Sequence, residues 1–131
     1  MHARFLSCAL VSSCLVLGAI PARAADPRID AELTNAETNA AKGNALIQVT
    51  VSEVELIDAD DAGSTPRPGQ GHLHYQVDDG PVIATSAKKL GFHELEPGSH
   101  RIRVALVGND HKPLGPEDTV TVLIPTAVLA H

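Results

Sequence analysis

The apolar positions of this chain fall into three regimes. From Phe5 to Ile20 they dominate, broken only by Gly18 and the small serines Ser7, Ser12 and Ser13. From Ala25 to Asn44 they thin out into a polar, alanine-rich stretch in which only Ile29 and Leu33 are sizeable. From Ala45 onward they alternate with polar residues, the period-two signature of half-buried strands. Ile47, Val49 and Val51 alternate with Gln48, Thr50 and Ser52, and Val54 and Leu56 then continue in the opposite phase. A phase slip of that kind predicts a bulge at Ser52-Glu53 or a strand that crosses between two sheets. Residues 59–70 hold two prolines and two glycines and predict a surface loop. A central strand follows from Gly71 to Val77, with His72 and His74 on one face and Leu73, Tyr75 and Val77 on the other. Asp78-Asp79-Gly80 is a hairpin signal leading into a short edge strand from Pro81 to Ala84. Lys88–Leu95 predicts another strand, and Pro97-Gly98 suits a type II turn. Ser99–Val107 returns with His100, Ile102, Val104 and Leu106 on one side. Gly108–Glu117 is expected as a loop, and Asp118–Ile124 as a last strand.

Five or six short strands with regularly spaced turns and no strong helix predict an all-β fold. The expected architecture is an antiparallel β-sandwich of the immunoglobulin or fibronectin type III kind. The pattern Leu95 to Val104 resembles the turn before the penultimate strand of such domains, where a tyrosine often stands in the place of His100.

The ends of the chain set the domain limits. Arg4, the apolar run and the small-x-small sequence Ala22-Arg23-Ala24 read as an export signal over residues 1–24. The run covers about 16 residues, short of the roughly 20 a spanning helix needs, so no transmembrane segment is expected after cleavage. A lipoprotein box ending at Cys14 is the disfavoured alternative, because Leu15–Ile20 would then form an apolar mature terminus. Residues 25–44 are expected to be a flexible tether with a transient helix, 45–125 the sandwich domain and 126–131 a tail. The expected location is periplasmic or secreted.

Removing the signal changes the composition in ways that bear on function. Both cysteines and the single methionine are lost, and 107 residues remain. Eight basic residues then face sixteen acidic ones, a net charge of −8 with histidine neutral. Such a surface repels phosphate backbones and excludes nucleic acid as a natural partner. Phe92 and Tyr75 are the only aromatic carbocycles left, too few for a base- or sugar-stacking platform. A blue-copper electron carrier needs a Cys thiolate, which the mature chain lacks.

Six histidines remain, and imidazole is the commonest metal ligand. His72 and His74 share a strand face, and sandwich topology brings the loop holding Asp110 and His111 to the same end. His72, His74 and His111 therefore form a candidate site for copper(II) or zinc. His93 and His100 are expected as a separate pair at the opposite end, and His131 carries no role. A structural or surface role is the more ordinary fate of strand histidines, and that reading stands beside the metal one. The glutamate pairs Glu53/Glu55 and Glu94/Glu96 read as solvated faces, Gly69-Gln70-Gly71 as a turn, and Arg101 and Arg103 as a solvent-facing charged strip. No catalytic base is evident, so an enzyme is not expected.

Three motifs carry a resemblance. Gly71-His72-Leu73-His74-Tyr75-Gln76-Val77-Asp78, Leu95-Glu96-Pro97-Gly98-Ser99-His100 and Asn109-Asp110-His111-Lys112-Pro113-Leu114 resemble those of a family of small exported bacterial β-sandwich proteins of unknown function. The likeness spans about residues 45–125 and implies a fold and an exported location, not an activity. The function expected from the residues is a non-enzymatic binding module with a divalent-metal site. The alternative is an interaction domain that docks another envelope protein through an exposed sheet edge, with structural histidines and no metal.

Overall fold

The computed structural model describes residues 26–126. The expected export signal, Cys14 and His131 lie outside the described residues. Eight strands and two short helices follow one another: β1 (Arg28–Leu33), α1 (Ala36–Ala40), β2 (Ala45–Ser52), β3 (Glu55–Leu56), α2 (Ala59–Ala62), β4 (Gln70–Val77), β5 (Val82–Thr85), β6 (Lys89–Phe92), β7 (Gly98–Val107) and β8 (Pro113–Ile124). They form two sheets, β1-β2-β6 and β3-β4-β7-β8, with β5 also paired to β4. All pairings are antiparallel except the short parallel contact of β3 with β4. The fold is an immunoglobulin-like β-sandwich.

Alternation decides which face of each strand enters the core. Ala31 of β1, with Ala45, Ile47 and Val49 of β2, face Leu73 and Tyr75 of β4, Ile102, Val104 and Leu106 of β7, and Val122 and Ile124 of β8. Tyr75 is wholly buried among them and donates its hydroxyl to the Ala87 carbonyl at 2.7 Å. That bond satisfies the one polar atom the aromatic brings inside, and burial pushes the phenol up to about 12.

Two expectations are corrected, and one pair of alternatives is decided. Of the tether expected over residues 25–44, the described residues 26–44 are folded into the sandwich. Ile29, Ala31 and Leu33 point inward from β1, which pairs with β2 from Arg28↔Ser52 to Leu33↔Ile47. Its outer edge is tied across the sandwich, where the Ala31 N–H donates to Asp118 Oδ2 at 2.9 Å. The phase slip after Val51 is a crossing between sheets. At Glu53, with φ 66°, the chain leaves β2 and then pairs as β3 with β4 of the other sheet. The loop expected over residues 108–117 is shorter, because β8 already starts at Pro113. β8 ends its sheet, so Pro113 and Pro116 remove no ladder bond from an inner strand. A register shift between Ala105 and Val107 absorbs the irregularity.

Candidate metal centre

The sequence places His72 and His74 on β4 in the phase opposite to Leu73 and Tyr75, so both rings stand on the outer face of the five-stranded sheet. Their cross-strand partners on β7 are Val107 and Ala105. His72 is nevertheless fully buried. The chain after β3 lies against the start of β4, with the Ile57 N–H donating to the Gly71 carbonyl at 2.8 Å. Gly71 itself is pressed so close to the Val107 carbonyl that a Cβ there would collide with it. The glycine thus lets β7 and the Leu114 side chain close over the entry to β4.

His111 arrives from the turn joining β7 to β8. The His111 N–H donates to the Gly108 carbonyl and the Gly108 N–H to the Lys112 carbonyl, both at 2.9 Å. His111 holds φ 64°, a left-handed conformation that glycine or asparagine usually fills in such three-residue hairpin loops. Asn109 anchors the turn from within. It is buried, and its amide donates to the Thr65 carbonyl at 3.1 Å and to Gln70 Oε1 at 3.4 Å. Asp110 accepts from the Lys112 N–H at 3.1 Å and so shapes the loop.

The three rings meet. His72 Nε2 lies 3.1 Å from His74 Nε2 and 3.2 Å from His111 Nδ1, and the last two nitrogens are 3.1 Å apart. Among the described residues this is the one group of three histidine, cysteine or carboxylate side chains able to share an ion. Burial holds the His72 imidazole below its usual pKa, reinforced by His74 and His111 and opposed by Asp58. Burial followed by His111 does the same to His74. Both rings are therefore neutral at pH 7, the protonation state a metal ligand requires. Three mutual contacts among three ring nitrogens also exceed what their protons can satisfy, because each neutral ring has one N–H and one lone pair. A common cation satisfies all three lone pairs at once. An ion about 2.05 Å from each nitrogen would subtend N–M–N angles of about 100° in this triangle, between tetrahedral and octahedral values. On the far side of its ring, His72 Nδ1 is buried without a partner. Ligating histidines usually donate that proton to an acceptor that fixes the ring, and here packing alone does so.

The other histidines stand apart. His100 does not pair with His93, contrary to expectation. Its Nε2 lies 2.6 Å from the Glu96 carbonyl and its Nδ1 lies 2.7 Å from Asp78 Oδ2. Both partners only accept, so the protonated ring, which donates from both nitrogens, is the form these contacts favour. The Glu96 carbonyl first and the Asp78 carboxylate second raise its pKa. The backbone N–H of Arg101 and then His100 lower that of Asp78. A bond from this position to a carbonyl four residues upstream is the role of the corner tyrosine in immunoglobulin-like domains, and histidine fills it here. Asp58, beside His72, was not singled out from the sequence. Nothing in an acidic loop distinguishes it until the crossing from β2 to β3 sets it beside the site.

Residues 18–130 match a family of unknown function (DUF6130). The chain belongs to that family. No curated protein matches the DUF6130 chain in sequence. Among solved structures it is similar to the PKD1 domain of the Vibrio cholerae metalloprotease PrtV, at 12% identity and a TM-score of 0.46, covering 76% of this chain and 98% of that one. It is also similar to fibronectin(III)-like modules of Clostridium thermocellum CbhA, at 20% identity and a TM-score of 0.43, covering 73% and 97%. No helix of the described DUF6130 residues is long and apolar enough to cross a membrane.

Proposed function

We propose that this chain is an exported, non-enzymatic binding module whose His72, His74 and His111 hold one divalent ion, copper(II) or zinc. The observation that carries the reading is the triangle of ring nitrogens at 3.1 to 3.2 Å. Its members come from a central strand and a turn 37 residues further on. Two of the rings are held neutral by burial, and the third is held in a backbone conformation that histidine rarely adopts. The export signal read from residues 1–24 supports a periplasmic or secreted location, where divalent ions meet a protein without competing thiols. The missing acceptor on His72 Nδ1 argues for moderate affinity, since outer-shell partners are worth about 10–100-fold.

The test is calorimetric titration of the purified, tag-free protein with zinc and with copper(II), beside His111→Ala. One ion per chain is expected at micromolar dissociation constants or tighter. Loss of the exposed ligand should weaken binding more than about 100-fold, beyond what an outer-shell loss costs. Binding unchanged in the variant overturns the assignment.

A docking role has its own support in β5. This edge strand exposes Val82 and Ile83 and pairs only with β4. An extended segment of an envelope protein would add to that edge by main-chain hydrogen bonds.

A further inference from the structure

The three nitrogen–nitrogen distances bear on which ion fits, not only on whether one does. With bonds of about 2.05 Å, two ligands at right angles stand about 2.9 Å apart, two tetrahedral ligands about 3.35 Å, and a trans pair about 4.1 Å. The triangle of His72, His74 and His111 measures 3.1, 3.2 and 3.1 Å. A tetrahedral ion therefore asks each edge to open by about 0.2 Å. Any three ligands in a square plane include a trans pair, so a square-planar ion asks one edge to open by about 0.9 Å. The triangle is nearly equilateral, and no edge is already part-way to that length.

The surroundings resist the larger movement. His72 and His74 stand two residues apart on β4, which pairs with β5 on one side and β7 on the other. The His72 ring is fully buried, so turning it would displace close-packed neighbours. The turn carrying His111 is closed by the Gly108 and His111 N–H bonds and tied by the buried Asn109 amide to the Thr65 carbonyl. The number of ligands is also informative. No fourth histidine, cysteine or carboxylate among the described residues joins the group. His111 is exposed and His74 half-buried, so solvent reaches the cluster from their side. Zinc has no geometric preference from its d-electrons, and it accepts three protein ligands with a fourth from outside. Copper(II) prefers a square-planar or tetragonal set, and magnesium, calcium and manganese prefer oxygen ligands.

We propose that the ion this triangle is built for is zinc, four-coordinate on His72, His74 and His111, with its last vertex left to a water or small anion from solvent. Copper(II) fits only with one of the three imidazoles pushed out of its plane. This rests on the metal reading above and narrows its two ions to one. It also separates the site from a closed structural zinc, which takes all four ligands from protein. Here an incoming ligand can reach the ion, so the ion can be handed on. Copper(II) outranks zinc in raw affinity for nitrogen donors, so the fit shows in how each ion is coordinated rather than in which binds more tightly.

The experiment uses the tag-free exported protein and two spectroscopic ions. Cobalt(II) stands in for zinc, and its visible absorption reports the coordination number. The expected spectrum has the intense bands of four-coordinate cobalt in place of the weak ones of the six-coordinate aquo ion. Those bands should be lost on adding one equivalent of zinc, and azide should shift them by entering the last vertex. Copper(II) is then loaded alone and read by electron paramagnetic resonance, where coupling to two in-plane imidazole nitrogens is expected. Six-coordinate cobalt bands, bands that azide leaves unmoved, or three in-plane nitrogens on copper(II) would overturn the zinc geometry while leaving a metal site in place. Cobalt bands that persist in His111→Ala, or no uptake of cobalt, zinc or copper(II) by wild type, would remove the metal reading and this inference together.

Discussion

At His111 the backbone and the side chain have opposing interests. A non-glycine residue at positive φ carries strain of about 1 kcal/mol, and here it sits in a turn whose bonds would form as well around glycine. His111→Gly should therefore raise the thermal midpoint of the metal-free protein slightly while abolishing its stabilisation by zinc. Scanning calorimetry with and without the ion reads both. A wild-type protein at 100-fold ligand excess over Kd should gain about 2.7 kcal/mol. A lower midpoint for the metal-free glycine variant would mean that the imidazole itself holds the turn. His100 invites a different measurement. Its folded pKa is raised above 6.5, so its contribution to stability is complete below that value and fades as pH rises through the folded one. Asp78 is lowered below 3.8, so its contribution is present above 3.8 and is lost as pH falls through the folded value. Between those limits both act. His72 and His74 work in the opposite sense near neutrality, because the unfolded chain binds protons more readily than their buried rings do. Comparing wild type with His100→Gln cancels that term. The difference in melting temperature should be larger at about pH 5.5 than at about pH 8.5. A difference independent of pH would mean that His100 acts only through packing.

At the scale of elements, legibility followed the strength of the alternation. β4 and β7 were readable because Leu73, Tyr75, Ile102, Val104 and Leu106 occupy every second position, and the same phase put His72 and His74 together on the outer face. His111 was within reach of inference because an antiparallel hairpin must return to the end it left. β1 was not readable. Arg28–Leu33 alternates correctly, but its middle inward residue is Ala31 and its neighbours are good helix formers, so local preference pointed to a weak helix. Pairing with β2 and the bond to Asp118 decide otherwise, and both are tertiary facts. The start of β8 was hidden by Pro113, Gly115 and Pro116, which look like loop residues until the strand is known to end its sheet. The mutual distance of the three rings was not legible either. It depends on the close approach at Gly71 and on the buried amide of Asn109, neither of which has a periodicity to read.

For the whole molecule the decisive element is the one that sequence alone assigned to a tether. β1 closes one side of the sandwich. It covers the edge of β2, contributes Ala31 to the core with Ile29 and Leu33 packed against it, and reaches across to β8 through Asp118. Without it, the edge bonds of β2 and the inner faces of Ile47 and Val49 would meet water. Partial burial of two aliphatic side chains and one alanine is worth about 3–5 kcal/mol. In a domain of this size 1 kcal/mol moves the melting temperature by about 4–8 °C. A chain lacking residues 26–34 should therefore melt more than about 10 °C below wild type. It should also bind zinc more weakly at temperatures where it has begun to unfold, although no ligand has been removed. If the truncated protein instead kept its midpoint and its cooperativity, residues 26–34 would be a tether after all, and the sandwich would stand on the remaining seven strands.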